Sequence, residues 1–165
     1  MAALATGAKA PEFQLNTLDG KRFSLSDELA RGPVVLVFFK VSCPTCQYAL
    51  PFYERLYKAY GHKGVTLVGV SQNDARETTA FNKEFGITLP VLLDNTQSYP
   101  ASNAYGLTNV PSIFWIAQDG EIEVSSVGWL KADFEEINRR MAEAGKIPSA
   151  KVFRPGEDVF DFRAG

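Results

Sequence analysis

The apolar positions fall into two kinds of stretch. Val34-Val35-Leu36-Val37-Phe38-Phe39 holds no polar residue, which predicts a central strand covered on both faces. Residues 65–70, interrupted only by Thr66, form a second apolar run. Between them, residues 45–60 place Leu50, Tyr53, Leu56, Tyr57 and Tyr60 at helical spacing. Pro51 interrupts that pattern and predicts a kink, and Gly61-His62-Lys63-Gly64 ends it. Further along, 75–85 reads as a helix stopped by Gly86, 89–93 as a short strand, and 96–105 as a weak helix or turn ended by Gly106. A strand over 112–117 leads through Gln118-Asp119-Gly120 to an alternating hairpin partner over 121–127. Phe134, Ile137 and Met141 mark the buried face of a helix over 131–144, ended by Gly145. Ahead of all this, 11–15 and 21–25 flank Asn16-Thr17-Leu18-Asp19-Gly20, a hairpin signal. Ser26-Asp27 then caps a short helix over 27–30, ended by Gly32-Pro33. The order βαβαβ, then a hairpin and a helix, predicts an α/β fold whose sheet is parallel at first and antiparallel later.

Residues 146–165 follow no such period. They carry Pro148, Pro155 and Gly156, yet also Phe153, Phe160 and Phe162. A disordered tail rarely keeps three phenylalanines, so part of this tail is expected to dock on or near the body formed by 1–145. The 165-residue length suits one domain, and 45% hydrophobic residues can bury a sizeable core. A net charge of −2 with both signs mixed gives no basic patch for nucleic acid or an anionic membrane. No stretch approaches the ~20 apolar residues of a membrane span. The opening residues hold no basic side chain before Lys9, and their apolar stretch is too short for a secretory leader. These features predict a cytoplasmic monomer.

Candidate chemistry concentrates in residues 40–51, KVSCPTCQYALP. Cys43 and Cys46 are the chain's two cysteines, placed where the apolar strand hands over to the helix. The first turn of a helix offers unpaired N–H groups and the positive end of the macrodipole. A thiolate is stabilised there, so the thiol pKa falls. A second thiol one turn along can resolve the mixed disulfide that the first one makes. Pro44 suits the first helical position, where its missing N–H costs nothing. A redox dithiol follows, with Cys43 the exposed nucleophile and Cys46 the buried resolving thiol. In a reducing compartment the pair rests reduced and cycles during function. A structural zinc needs four ligands; there is no second cysteine pair and His62 stands alone. No metal and no cofactor are expected.

Four segments together resemble the thioredoxin-fold superfamily, in the branch that contains TlpA-like thiol–disulfide oxidoreductases and the alkyl hydroperoxide reductase/thiol-specific antioxidant (AhpC/TSA) proteins. These are 7–15 with Asp19-Gly20, 35–46, 68–72 with 85–94, and 105–114. They span about residues 7–145 in matching order. The resemblance implies a three-layer α/β/α fold with an N-terminal β-hairpin, an inserted βα segment and a mixed central sheet. It assigns Cys43 and Cys46 the nucleophilic and resolving roles. It makes Pro111 the cis-proline facing the dithiol, with Val110 presenting backbone groups to an extended substrate. Pro44 and Thr45, between the cysteines, would line the same binding edge. The chain also departs from thioredoxin. Ser42 stands where thioredoxin has tryptophan, Pro44-Thr45 replaces Gly-Pro, and Val37 occupies the place of the buried aspartate. Asp74, at the same edge of the sheet, could move the proton instead, or simply cap the next helix.

Three functions compete on this basis. The first is a thiol–disulfide oxidoreductase acting on protein or small-molecule disulfides, with an external thiol reductant. The second is an antioxidant peroxidase of the peroxiredoxin kind. Its P-x-x-x-T-x-x-C signature puts Lys40 and Leu36, or Cys43 and Phe39, at the threonine and proline places, and neither register fits. The third is a non-enzymatic redox sensor or binding module that uses the same pair as a switch.

Overall fold

The computed structural model describes residues 3–165. The chain opens with a hairpin, β1 (Gln14–Thr17) and β2 (Arg22–Ser24), in the register Leu15↔Phe23. Helix α1 (Leu25–Leu29) begins before the Ser26-Asp27 cap read from sequence. Ser24 Oγ accepts from the Asp27 N–H instead, because Ser26 is held by Glu12 through its N–H at 2.9 Å and its hydroxyl at 2.5 Å.

All six residues of β3 (Val34–Phe39) are fully buried. The strand pairs in parallel with β4 (Thr66–Ser71), which pairs in parallel with β5 (Val91–Leu93). On its other side β3 runs antiparallel to β6 (Ser112–Ile116), and β6 antiparallel to β7 (Ile122–Val127). Strand β1 joins antiparallel to β5, giving a seven-stranded sheet in the order β2-β1-β5-β4-β3-β6-β7.

Alternation along β3 feeds two cores. Val35, Val37 and Phe39 face one cluster with α2 (Pro44–Tyr60), Phe81 of α3 (Ala75–Phe85), and Phe134, Ile137 and Met141 of α5 (Lys131–Gly145). Val34, Leu36 and Phe38 face the other, with Leu25 of α1, and Ala101 and Tyr105 in and after α4 (Pro100–Ala104). Fully burying one such side chain stabilises by roughly 1.5–3 kcal/mol, so β3 anchors both layers. The result is three layers, helices on each face of a mixed sheet.

Helix α2 runs over Pro44–Tyr60 as the apolar period predicts, with Pro51 inside it and Ala49, Leu50, Phe52, Tyr53 and Leu56 around it buried. The weak helix over 96–105 shrinks to α4. There the buried Asp94 carboxylate accepts from the Ala101 and Ser102 N–H groups at 3.1 and 2.9 Å and so fixes where it starts.

Residues 146–165 run back over α5 and α2. Val152 is buried, and Phe153 packs on Phe52 and Phe134. Arg55 of α2 holds Glu157 through two hydrogen bonds of 2.7 and 2.8 Å. The segment then adds β9 (Phe162–Arg163) antiparallel to β8 (Trp129–Leu130). Among the described residues no helix is long and apolar enough to cross a membrane.

Candidate active site

The loop leaving β3 is fixed before it reaches the cysteines. Asn73, just past β4, accepts the Val41 N–H at 2.9 Å, and Gln47 Nε2 donates to the Val41 carbonyl at 2.9 Å. Cys43 then caps α2. Its backbone is extended, its Sγ accepts the Cys46 N–H at 3.1 Å, and Pro44 enters the first turn. Cys43 is half-buried, Cys46 is buried, and both are free thiols.

The two sulfurs sit in opposite electrostatic surroundings. Cys43 is pushed down to about 6 from its ordinary 9.0. The largest cause is the hydrogen bond from the Cys46 side chain, followed among the lowering causes by the Cys46 and Thr45 backbone N–H groups and the charge of Arg163; burial opposes them. Cys46 is pushed far up, chiefly by burial and then by its hydrogen bond to Cys43.

The segment before β6 faces this helix start. The Val110–Pro111 bond is cis. The Cys43 thiol donates to the Val110 carbonyl at 3.3 Å. Cys43, Cys46, Thr45, Pro44, Val110 and Pro111 thus meet at one edge of the sheet. Asp74 does not share this arrangement. It is exposed, and its carboxylate accepts the Glu77 N–H at 2.8 Å as the N-cap of α3. Its neighbour Asn73 is the residue that reaches the active-site loop.

Two contributors were not foreseen from sequence. Asn73 carries no motif; its position directly after a strand was the available signal. The segment around Arg163 arrives from the far end of the chain. Thr45 Oγ1 donates to the Ala164 carbonyl at 2.6 Å across 119 positions. Arg163 lies over the Tyr48 ring at 5.7 Å. Nothing in a local pattern announces such a contact. No group of three or more His, Cys, Asp or Glu side chains able to hold a metal ion occurs among the described residues.

The model of the AhpC/TSA family matches residues 6–125, well over half the chain. The chain belongs to the AhpC/TSA family. Among its relatives, the thiol-disulfide oxidoreductase ResA of Geobacillus kaustophilus is 32% identical over 140 residues, 84% of this chain and 78% of that protein. Of solved structures, a thioredoxin-family thiol:disulfide interchange protein from Chlorobium tepidum TLS is 31% identical, with a TM-score of 0.67 over 84% of this chain and 99% of that one. A putative protein disulfide isomerase from Bacteroides thetaiotaomicron, 24% identical with a TM-score of 0.78 over 88% and 95%, shares the fold. The fold of this AhpC/TSA member is therefore thioredoxin-like. Its family match ends before the segment 146–165 that reaches Thr45, between the cysteines.

Proposed function

We propose that this AhpC/TSA member is a thiol–disulfide oxidoreductase that reduces or exchanges disulfides through Cys43 and Cys46. The observation that carries the reading is the asymmetry of the pair, an accessible low-pKa thiol capping α2 beside a buried thiol one turn along. The similarity to thiol–disulfide oxidoreductases supports the same chemistry.

In this reading the Cys43 thiolate attacks one sulfur of a substrate disulfide. A mixed disulfide forms and the first substrate thiolate leaves. Cys46 then gives up its proton, which passes in net to the departed substrate thiolate, and attacks Cys43 Sγ. The Cys43–Cys46 bond forms, the mixed disulfide breaks, and the second substrate thiolate leaves. Two electrons pass from the pair to the substrate, and an external thiol reductant restores the dithiol. The surroundings favour this order. The negative charge and hydrogen bond of Cys43 both hold the Cys46 thiol up. A mixed disulfide removes the charge, so Cys46 becomes easier to ionise when it is needed. Val110, Pro111, Pro44 and Thr45 form the edge against which an extended substrate lies. Asp74 is engaged as the N-cap of α3, and this reading assigns it no proton transfer.

The site is complete within one chain, and we take the monomer as the working unit. A cytoplasmic setting would keep the pair reduced at rest, and the disulfide fraction in acid-quenched cells measures this. Reduction of insulin disulfides with dithiothreitol as electron source tests the function. The parent should turn over and Cys43→Ser should lose turnover. Full activity in Cys43→Ser, or peroxide consumption without disulfide reduction, would overturn the reading.

A further inference from the structure

Residues 158–165 lie along the edge just assigned to substrate. Gly165 sits so close to Val110 that a Cβ added to it would lie 2.3 Å from the Val110 carbonyl oxygen. Asn109 Nδ2 donates to the Gly165 carbonyl at 3.4 Å, and Thr45 Oγ1 to the Ala164 carbonyl at 2.6 Å. One residue further back, β9 pairs with β8. The chain is thus extended, backbone-bonded on one side to β8, and in contact with Thr45, Asn109 and Val110 on the other. An extended disulfide-bearing polypeptide would have to take this position to reach Cys43.

The hold on this stretch is light. Up to Glu157 the tail is clamped by buried Val152, by Phe153 and by the Arg55 ion pair. Beyond it, Phe160 and Phe162 are 54% and 59% exposed, so little apolar burial anchors them. The fixings are half-buried Val159, Phe160 against the Tyr48 ring, Arg163 over both rings, and hydrogen bonds beyond the β8 pairing. Lys131 N–H donates to the Asp161 carbonyl at 2.9 Å, Trp129 Nε1 to the Phe160 carbonyl at 2.6 Å, and the Phe160 N–H to Tyr48 Oη at 3.1 Å. Within the clamp, between Phe153 and Glu157, Gly156 at φ +76° follows Pro155 and turns the chain. The contrast is a buried anchor up to Glu157 followed by a stretch with its phenylalanines exposed.

We propose that residues 158–165 are a displaceable pseudo-substrate strap, which occupies the polypeptide-binding edge at Val110 and Thr45 and leaves it when a disulfide polypeptide docks. The proposal rests on the oxidoreductase reading above. The substrate class follows. Small disulfides need only the Cys43 sulfur and react with the strap in place, whereas a polypeptide must displace it and meets a competing intramolecular ligand.

The test uses the full chain. Gly165→Val puts a side chain against the Val110 carbonyl and lifts the strap's end. Freeing a binding edge that is mostly occupied raises apparent affinity by the reciprocal of the open fraction, about three- to tenfold for a strap held by a few net hydrogen bonds. Insulin kcat/KM should rise by about that factor through a lower KM, while a small nitroaryl disulfide should react within about twofold of the parent rate. Hydrogen exchange gives a second readout. The Lys131 amide opens α5, and its partner is Asp161 of the strap. In Cys46→Ser trapped as a mixed disulfide with a peptide, this amide should exchange at least about tenfold faster than in the free protein. An unchanged or lower insulin rate in Gly165→Val, or a Lys131 amide equally protected in the mixed disulfide, would overturn the strap. A parent that reduces neither insulin nor the small disulfide would instead overturn the oxidoreductase reading.

Discussion

At the scale of single residues, three bonds separate the cysteine that reacts from the one that waits. The spacing Cys43-Pro44-Thr45-Cys46 predicts a thiol at a helix start, and the cap geometry is what the spacing demands. The depth of the second thiol is less legible, because it depends on β3 and α2 closing over it. The lowered Cys43 thiol has a kinetic consequence. Alkylation by iodoacetamide should follow the thiolate and show its midpoint near pH 6, well below the ordinary 9.0 of the thiol. Cys43→Ser should leave only a slow, buried site. A midpoint above pH 8 would remove the electrostatic basis for Cys43 as nucleophile. Asp74 shows the limit of residue-level reading. A carboxylate just past a strand's end fits either a proton carrier or a helix cap, and the sequence does not say which donor it meets; in the fold it accepts the Glu77 N–H.

Among the elements, α2 carries the site, and its far half decides where the near half sits. Glu54, two turns after Cys46 on the same helix, is buried among apolar neighbours. Its carboxylate accepts the Thr88 and Leu89 N–H groups at 2.8 Å each, as well as the Thr88 hydroxyl. This ties α2 to the chain entering β5. The apolar period of residues 45–60 reveals a helix but not this clamp, since an acidic residue between Tyr53 and Arg55 reads as surface. Glu54→Gln would face one amide N–H₂ toward backbone donors. It should lower unfolding free energy by about 2 kcal/mol, the usual cost of an unsatisfied buried group. Urea denaturation measures it, and the Cys43 alkylation midpoint should stay where it is. The strands were the most legible elements because β3 is apolar throughout and the Asp-Gly turns are specific. Helix starts were less so, since the Ser24 cap depends on Glu12 holding Ser26.

On the scale of the whole molecule, the tail is where sequence said least. Three phenylalanines predicted docking, but the surface they meet is assembled from α2, α5 and β8, which are far apart along the chain. Arg55–Glu157 is the polar anchor of that docking. Pairing with Arg55, helped by the Arg154 backbone N–H, holds the Glu157 carboxyl down at about 2, against 4.5 for the free group. A depressed carboxyl stabilises the docked tail fully above the unfolded value, and the contribution is lost as pH falls from about 4.5 toward about 2. The stability gap between the parent and Glu157→Gln should therefore be constant above pH 5 and close by pH 2, as urea midpoints across that range will show. The docked tail also makes the molecule its own optical instrument. Of the two tryptophans, Trp115 is buried in the central sheet with the Arg140 guanidinium over its ring. Trp129 lies under the tail, tilted against Phe52 and edge-on to Tyr48, with its indole N–H spent on the Phe160 carbonyl. Once the tail lifts, that indole meets water, and its emission shifts to longer wavelength. A Trp115→Phe chain would then report each docking event in the cuvette as a colour change from a single intrinsic fluorophore.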